Sequence, residues 1–141
     1  MLIGIPKIVP PELLRILAEM GHGDEIVLAD GNFPAASIGR HLVRCDGSNV
    51  TELLDALLQL IPLDTFVPRP VGLMQVVPGD DYTPEIWEKY LRVLRSHGHV
   101  DVVDHIERFA FYDRARKAYA VVATGEMARY ANVILKKGII E

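Results

Sequence analysis

Glu25-Ile26-Val27-Leu28-Ala29-Asp30 is the stretch on which the fold turns. Its apolar centre runs without alternation and is too short for a helix. It therefore reads as a strand buried on both faces, ending on a carboxylate. Upstream, Pro10-Pro11 opens a helix that carries Leu13, Leu14, Leu17 and Met20 on one face and stops at Gly21. Downstream, Gly31-Asn32-Phe33-Pro34 is a loop and Leu42-Val43-Arg44-Cys45 a second strand, closed by Asp46-Gly47. Asn49 caps a helix whose third residue is Glu52; Leu53, Leu54, Leu57, Leu58 and Ile61 lie on one side, and Pro62 ends it. The spacing predicts a strand over 71–77. Thr83 caps and Pro84 starts a helix lined by Ile86, Trp87, Tyr90, Leu91 and Leu94 and closed by Gly98. The last third predicts a strand over 102–108, a helix over 109–117 and strands over 119–124 and 132–136. Strands alternating with helices define a layered α/β domain with a largely parallel sheet, one domain over residues 1–141. Ligand sites in open α/β sheets gather at strand ends, which directs attention to Asp30, Arg108 and the segment around Tyr130 and Asn132.

The 141 residues fit one domain that needs no disulfide or metal staple. Half of them are hydrophobic and 24% are charged, a globular composition with enough apolar surface to hint at a subunit interface. A net charge of −4 argues against a nucleic-acid partner. The clusters Arg114, Arg116, Lys117 and Lys136, Lys137 read as solvated element ends. Cys45 is the one cysteine, so no intramolecular disulfide forms, which fits a reducing compartment. No apolar run reaches the length of a membrane helix, and Pro6, Lys7, Pro10 and Pro11 interrupt the first apolar stretch. The expectation is a soluble cytoplasmic protein without membrane contact.

His22 stands between Gly21 and Gly23, where its imidazole can face a cleft and move protons near neutral pH; taken alone it reads first as a plain loop histidine. The two glycines follow a helix and open a strand, the reverse of a dinucleotide fingerprint. Asp30 could accept hydrogen bonds from a ligand, orient His22, or simply serve the turn before Gly31. His22, Asp24 and Asp30 allow a metal site without diagnostic spacing, and no metal is expected. His41, His97, His99 and His105 read as structural or solvated. Asp80 and Asp81 are adjacent and make a poor acid/base pair. Cys45 reads as an inert buried thiol, and Phe109, Phe111 and Tyr112 as core, one of them able to stack on the face of a ligand.

As a set, these residues say more. Met20-Gly21-His22-Gly23-Asp24-Glu25-Ile26-Val27-Leu28-Ala29-Asp30, Asn32-Phe33-Pro34, Arg44-Cys45-Asp46-Gly47 and Leu63-Asp64-Thr65 resemble motifs of the L-fucose mutarotase and D-ribose pyranase family. Glu107-Arg108-Phe109-Ala110-Phe111-Tyr112-Asp113-Arg114-Ala115, Thr124-Gly125-Glu126 and the run from Tyr130 to Gly138 continue the match in family order. The resemblance implies a three-layer α/β/α fold with a mixed, largely parallel sheet and a cofactor-free sugar anomerase. It also implies a homo-oligomeric ring with active sites between neighbouring subunits. It makes His22 the proton donor and Asp30 a sugar ligand. Arg108, before Phe-x-Phe-Tyr, marks the fucose-type members, where ribose-type members tend to have histidine. The Tyr-Gly-Asn segment lands on Tyr130, Ala131 and Asn132, with alanine for glycine, a change that suits a backbone contact only without positive φ.

Anomer exchange requires ring opening: a base takes the anomeric hydroxyl proton while an acid protonates the ring oxygen. His22 is the acid by this reading; Tyr130 or a water is the base; Asp30 tunes His22 or holds hydroxyls; Arg108 and Asn132 orient the sugar. The competing readings are a ribose pyranase-like isomerase, against which Arg108 counts, a non-catalytic monosaccharide-binding module, and a structural ring subunit.

Overall fold

The computed structural model describes residues 1–141. In chain order the elements are α1 (Pro11–Glu19), β1 (Glu25–Ala29), α2 (Ala35–Ile38), β2 (Leu42–Cys45), α3 (Val50–Leu58), β3 (Val71–Met74), α4 (Ile86–Ser96), β4 (Val103–Ile106), α5 (Arg108–Lys117), β5 (Ala120–Thr124) and β6 (Val133–Lys136). The six strands form one sheet in the order β2-β5-β1-β6-β3-β4. β1 and β2 pair parallel to β5, and β3 parallel to β4, while β6 is antiparallel to both of its neighbours, β1 and β3. Five strands therefore point one way and β6 alone runs back, the mixed and largely parallel sheet expected.

Successive side chains of a strand face opposite sides, and the core divides accordingly. Ile26, Leu28, Ala120, Val122, Val133 and Leu135 join Leu13, Leu17, Leu53, Leu57, Tyr90 and Leu94 of α1, α3 and α4 in one cluster. Val27, Ala29, Val121, Ala123 and Ile134 join Phe33, Ala35 of α2, and Phe111 and Ala115 of α5 in the second. The result is the three-layer α/β/α arrangement, with β1 buried on both faces from Ile26 onward.

Several boundaries differ from the sequence reading. Asn49 does cap α3, accepting from the Glu52 amide at 2.9 Å. Thr83 does not cap α4: the helix begins at Ile86 after a turn in which the Pro84 carbonyl accepts from Trp87 N at 3.3 Å. Arg108 is not the end of a strand but the first residue of α5. The cause is Glu107, whose carboxylate accepts from Phe109 N and Ala110 N at 3.0 Å each and stops β4 at Ile106. α2 falls between the loop expected over 31–34 and the strand expected from Leu42, where the sequence reading assigns no element. At Gly125 there is no room for a side chain: a Cβ would lie 2.2 Å from the Asp46 carbonyl oxygen, so the β5 exit packs backbone on backbone beneath the β2 turn.

Candidate active site

With β6 reversed, one edge of the sheet collects the ends of β1, β3, β4 and β5 and the start of β6. Loops at that edge form an open cleft of about 270 Å³ lined chiefly by Asp30, Phe33, Arg108, Tyr112, Tyr130 and Asn132. Asp30 and Asn132 form its floor, 8% and 4% exposed. The Asp30 amide donates to Asn132 Oδ1 at 2.8 Å, which splices β1 to the entry of β6. Asp30 Oδ1 accepts from Asn32 N at 2.9 Å in a tight Asx turn. Burial pushes the Asp30 carboxyl above its ordinary value, against the opposing pull of the Asn32 and Phe33 amides. A carboxylate so desolvated gains strongly from any hydroxyl that donates to it. Asn132 lines the same cleft.

Arg108 lies on the rim. Its guanidinium stacks between Phe109 and Tyr112, 5.5 and 5.6 Å from the ring centroids, and Nε donates to the Tyr112 hydroxyl at 3.4 Å. Phe33 wedges against Tyr112 and Phe111 beneath it, with centroids at 5.6 and 6.1 Å. Tyr130 has a positive φ of 57°, rare for a bulky residue. Two α4 side chains hold that turn: Trp87 Nε1 donates to the Tyr130 carbonyl at 2.8 Å, and the buried Tyr90 hydroxyl donates to the Ala131 carbonyl at 2.7 Å. The left-handed conformation thus falls on Tyr130 and not on Ala131. Ala131 is fully buried and outside the cleft lining, so only its backbone is available for a contact.

His22 is elsewhere. It precedes β1, whereas Asp30 follows it, and the strand between them is about 16 Å long at the usual rise per residue. The expectation that Asp30 orients His22 within one chain is therefore corrected. The partner is Asp64, on the turn before β3, whose Oδ1 lies 3.0 Å from His22 Nε2. The Phe66 amide, followed by the imidazole, holds the Asp64 carboxyl below the usual carboxylate range. The carboxylate accepts a hydrogen bond from Nε2–H, which leaves Nδ1 for chemistry. Phe66 packs on the ring at a centroid distance of 5.0 Å. Gly23, with φ at 85°, turns the chain into β1 and donates to the Lys137 carbonyl at 2.8 Å. Lys137 Nζ caps α1, donating to the Leu17 and Met20 carbonyls at 2.8 and 2.6 Å. His22, Asp24 and Asp30 do not converge on a metal position: Asp24 Oδ2 accepts from Gly21 N, and Asp30 is at the other edge. Of the remaining histidines, His97 pairs with Asp55 at 2.7 Å, and His41 and His105 pack on Tyr119 and Trp87.

Sequence reasoning passed over Asp64, Trp87 and Tyr90 as site residues. Asp64 sat in a quoted motif, and the other two were read as helix lining. Nothing local marks their roles, because each acts across at least 41 positions of chain.

A small polar cleft at the carboxyl ends of an α/β sheet, with a buried carboxylate, an amide and an arginine and no long groove, defines a binder or enzyme for a small polyhydroxylated ligand. The chain belongs to the RbsD / FucU transport protein family, whose model matches residues 3–140. It is 51% identical over 140 residues to the L-fucose mutarotase of Actinobacillus pleuropneumoniae serotype 5b, covering 99% of this chain and 97% of that protein. It is 53% identical over 144 residues to the human fucose mutarotase, covering 97% of this chain and 93% of that one. Its structure is similar to that of the Streptococcus pneumoniae fucose mutarotase in complex with L-fucose. The TM-score is 0.96 at 52% identity, over 99% of this chain and 100% of the other.

Proposed function

We propose that this chain is a cofactor-free isomerase that interconverts the α- and β-anomers of free L-fucose. The observation that carries the reading is the Asp30–Asn132 floor of the cleft, flanked by Arg108 and Tyr130: four directional groups around a space suited to a monosaccharide. The full-length likeness to proteins named as fucose mutarotases supports it. Asp30 accepts from sugar hydroxyls; Asn132 and Arg108 donate to them; Ala131 contributes backbone only. Tyr130 reaches the anomeric hydroxyl. His22 Nδ1, as imidazolium, gives its proton to the ring oxygen while the anomeric hydroxyl loses its own. The ring C–O bond breaks, the aldehyde turns about C1–C2, and closure from the other face reverses both proton transfers. No electron leaves the sugar, so the step needs no redox partner.

Because His22 and the cleft lie at opposite sheet edges, one chain does not hold a complete site, and His22 acts in the cleft of a neighbour. Each edge carries an exposed apolar side chain to make that contact: Phe66 against His22 and Phe109 against Arg108. An interface pairing two different edges is heterologous, and it makes a ring when the rotation between successive copies closes. The ring is cytoplasmic by this proposal, in keeping with a single buried free cysteine.

Complementation tests the shared site. His22→Ala and Arg108→Ala are each nearly inactive alone. Co-expressed in equal amounts, they form mixed rings in which about a quarter of the sites pair an intact His22 from one copy with an intact Arg108 from its neighbour, and that share of activity returns. Mixed rings no more active than the sum of the two parents would contradict a site built from two chains.

A further inference from the structure

The ring-opening step needs a destination for the proton that leaves the anomeric hydroxyl. We infer that this destination is Asp80, reached through Tyr130, so that the two side chains act as one relayed base. The inference rests on the mutarotase reading above.

The Tyr130 hydroxyl donates to Asp80 Oδ2 at 2.6 Å and accepts from the Val77 amide at 3.3 Å. A phenol oxygen has one proton and two acceptor positions. Its proton is directed at Asp80 and one acceptor position is used by Val77, which leaves one position for a hydroxyl in the cleft that Val77 and Tyr130 both line. The carboxylate is fixed independently of Tyr130. Oδ2 also accepts from Arg129 at 2.5 Å, and Oδ1 accepts from the Tyr82 amide at 3.0 Å. The Arg129 guanidinium lies over the Tyr82 ring at 4.4 Å, and Tyr82 stacks on Tyr130. The strained φ of Tyr130, held by Trp87 and Tyr90, is a second observation that the direction of this side chain matters. The hydrogen bond from Tyr130 is the foremost of the causes that keep the Asp80 carboxyl below the usual carboxylate range.

The relay balances. The O1–H proton passes to the Tyr130 oxygen as the Tyr130 proton passes to Asp80 Oδ2, and C1=O1 forms as C1–O5 breaks. His22 supplies the proton that O5 takes. Closure returns the Asp80 proton through Tyr130 to O1 and the O5 proton to His22. Asp80 does not touch the sugar and is a positioning and proton-holding residue for Tyr130.

The test compares wild type with Asp80→Asn, Asp80→Glu, Tyr130→Phe and the Asp80→Asn/Tyr130→Phe double variant. Fucose anomer exchange is read by saturation-transfer NMR across pH, and fucose binding by calorimetry. Asparagine still accepts from Tyr130 but cannot take its proton. The exchange rate of Asp80→Asn is expected to fall by about 100-fold, with fucose still bound, and to rise with pH as hydroxide replaces the relay. Asp80→Glu, which keeps a proton acceptor, recovers part of the rate. The double variant is no slower than Tyr130→Phe, because one relay is already broken. Asp30, Arg108, Tyr112, Tyr82 and Arg129, the other charged and titratable groups facing the pair, are unchanged throughout. Wild-type rate and pH profile in Asp80→Asn would overturn the relay, and so would multiplicative losses in the double variant. If Asp80→Asn no longer binds fucose, the relay stands or falls on Asp80→Glu, whose failure to recover rate while binding fucose overturns it. An inactive wild-type protein would instead overturn the mutarotase reading, and the relay with it.

Discussion

His22→Ala removes most of the anomer exchange and leaves the fold in place. The side chain is 42% exposed, in a loop, and its contacts are the Asp64 carboxylate and the Phe66 ring. Asp64 retains the Phe66 amide as a donor when the imidazole is gone, so no buried acceptor is stranded. A positioned general acid typically contributes about 10²–10⁴-fold. Since sugar anomers exchange unaided, the variant falls to near the buffer rate. Exchange measured beside a thermal melt separates the two effects. An unchanged melt with wild-type exchange would remove His22 from the mechanism.

Phe111→Ala has the largest expected cost to stability, about 3–5 kcal/mol for an aromatic side chain removed from a packed core. Phe111 is fully buried, and Phe111 and Ala115 are the only buried residues of α5. Beyond these two, the Arg114–Glu25 ion pair ties the helix to β1 and Tyr112 packs on Phe33, and its first residue is Arg108. The same cavity also frees Phe33, which packs edge-on against Phe111 beneath the cleft. Urea denaturation is expected to show a lower midpoint at unchanged slope, and calorimetry weaker fucose binding. A midpoint equal to wild type would mean that α5 is anchored by some other contact.

Both variants probe features of unequal legibility in the sequence. The buried runs of β1, β5 and β6 were legible because strands covered on both faces keep unbroken apolar stretches, and the Asn49 cap was legible because it acts over three residues. The place of β6 between β1 and β3 was not: strand pairing is non-local and leaves no mark on either segment. α2, four residues long, is shorter than any helical period can reveal. The gathering of Asp30, Tyr130 and Asn132 followed from the rule of strand ends, whereas Arg108 joins them as the first residue of α5 and not as the end of a strand. The link between His22 and Asp30, eight residues apart, did not hold, because an extended strand drives such neighbours to opposite edges. Asp64 takes that role from 42 positions away. Asp80 was set aside for standing next to Asp81, and its contact with Tyr130 spans 50 positions.

The central claim is catalysis of fucose anomer exchange, and saturation transfer between the α- and β-L-fucose signals measures it most directly. With micromolar wild-type protein the account predicts saturation passing between the anomers well above the rate in buffer, and a weaker effect on D-ribose run in parallel. Exchange in L-fucose no faster than in buffer, by protein that binds the sugar in calorimetry, would contradict the account and leave a monosaccharide-binding protein in its place.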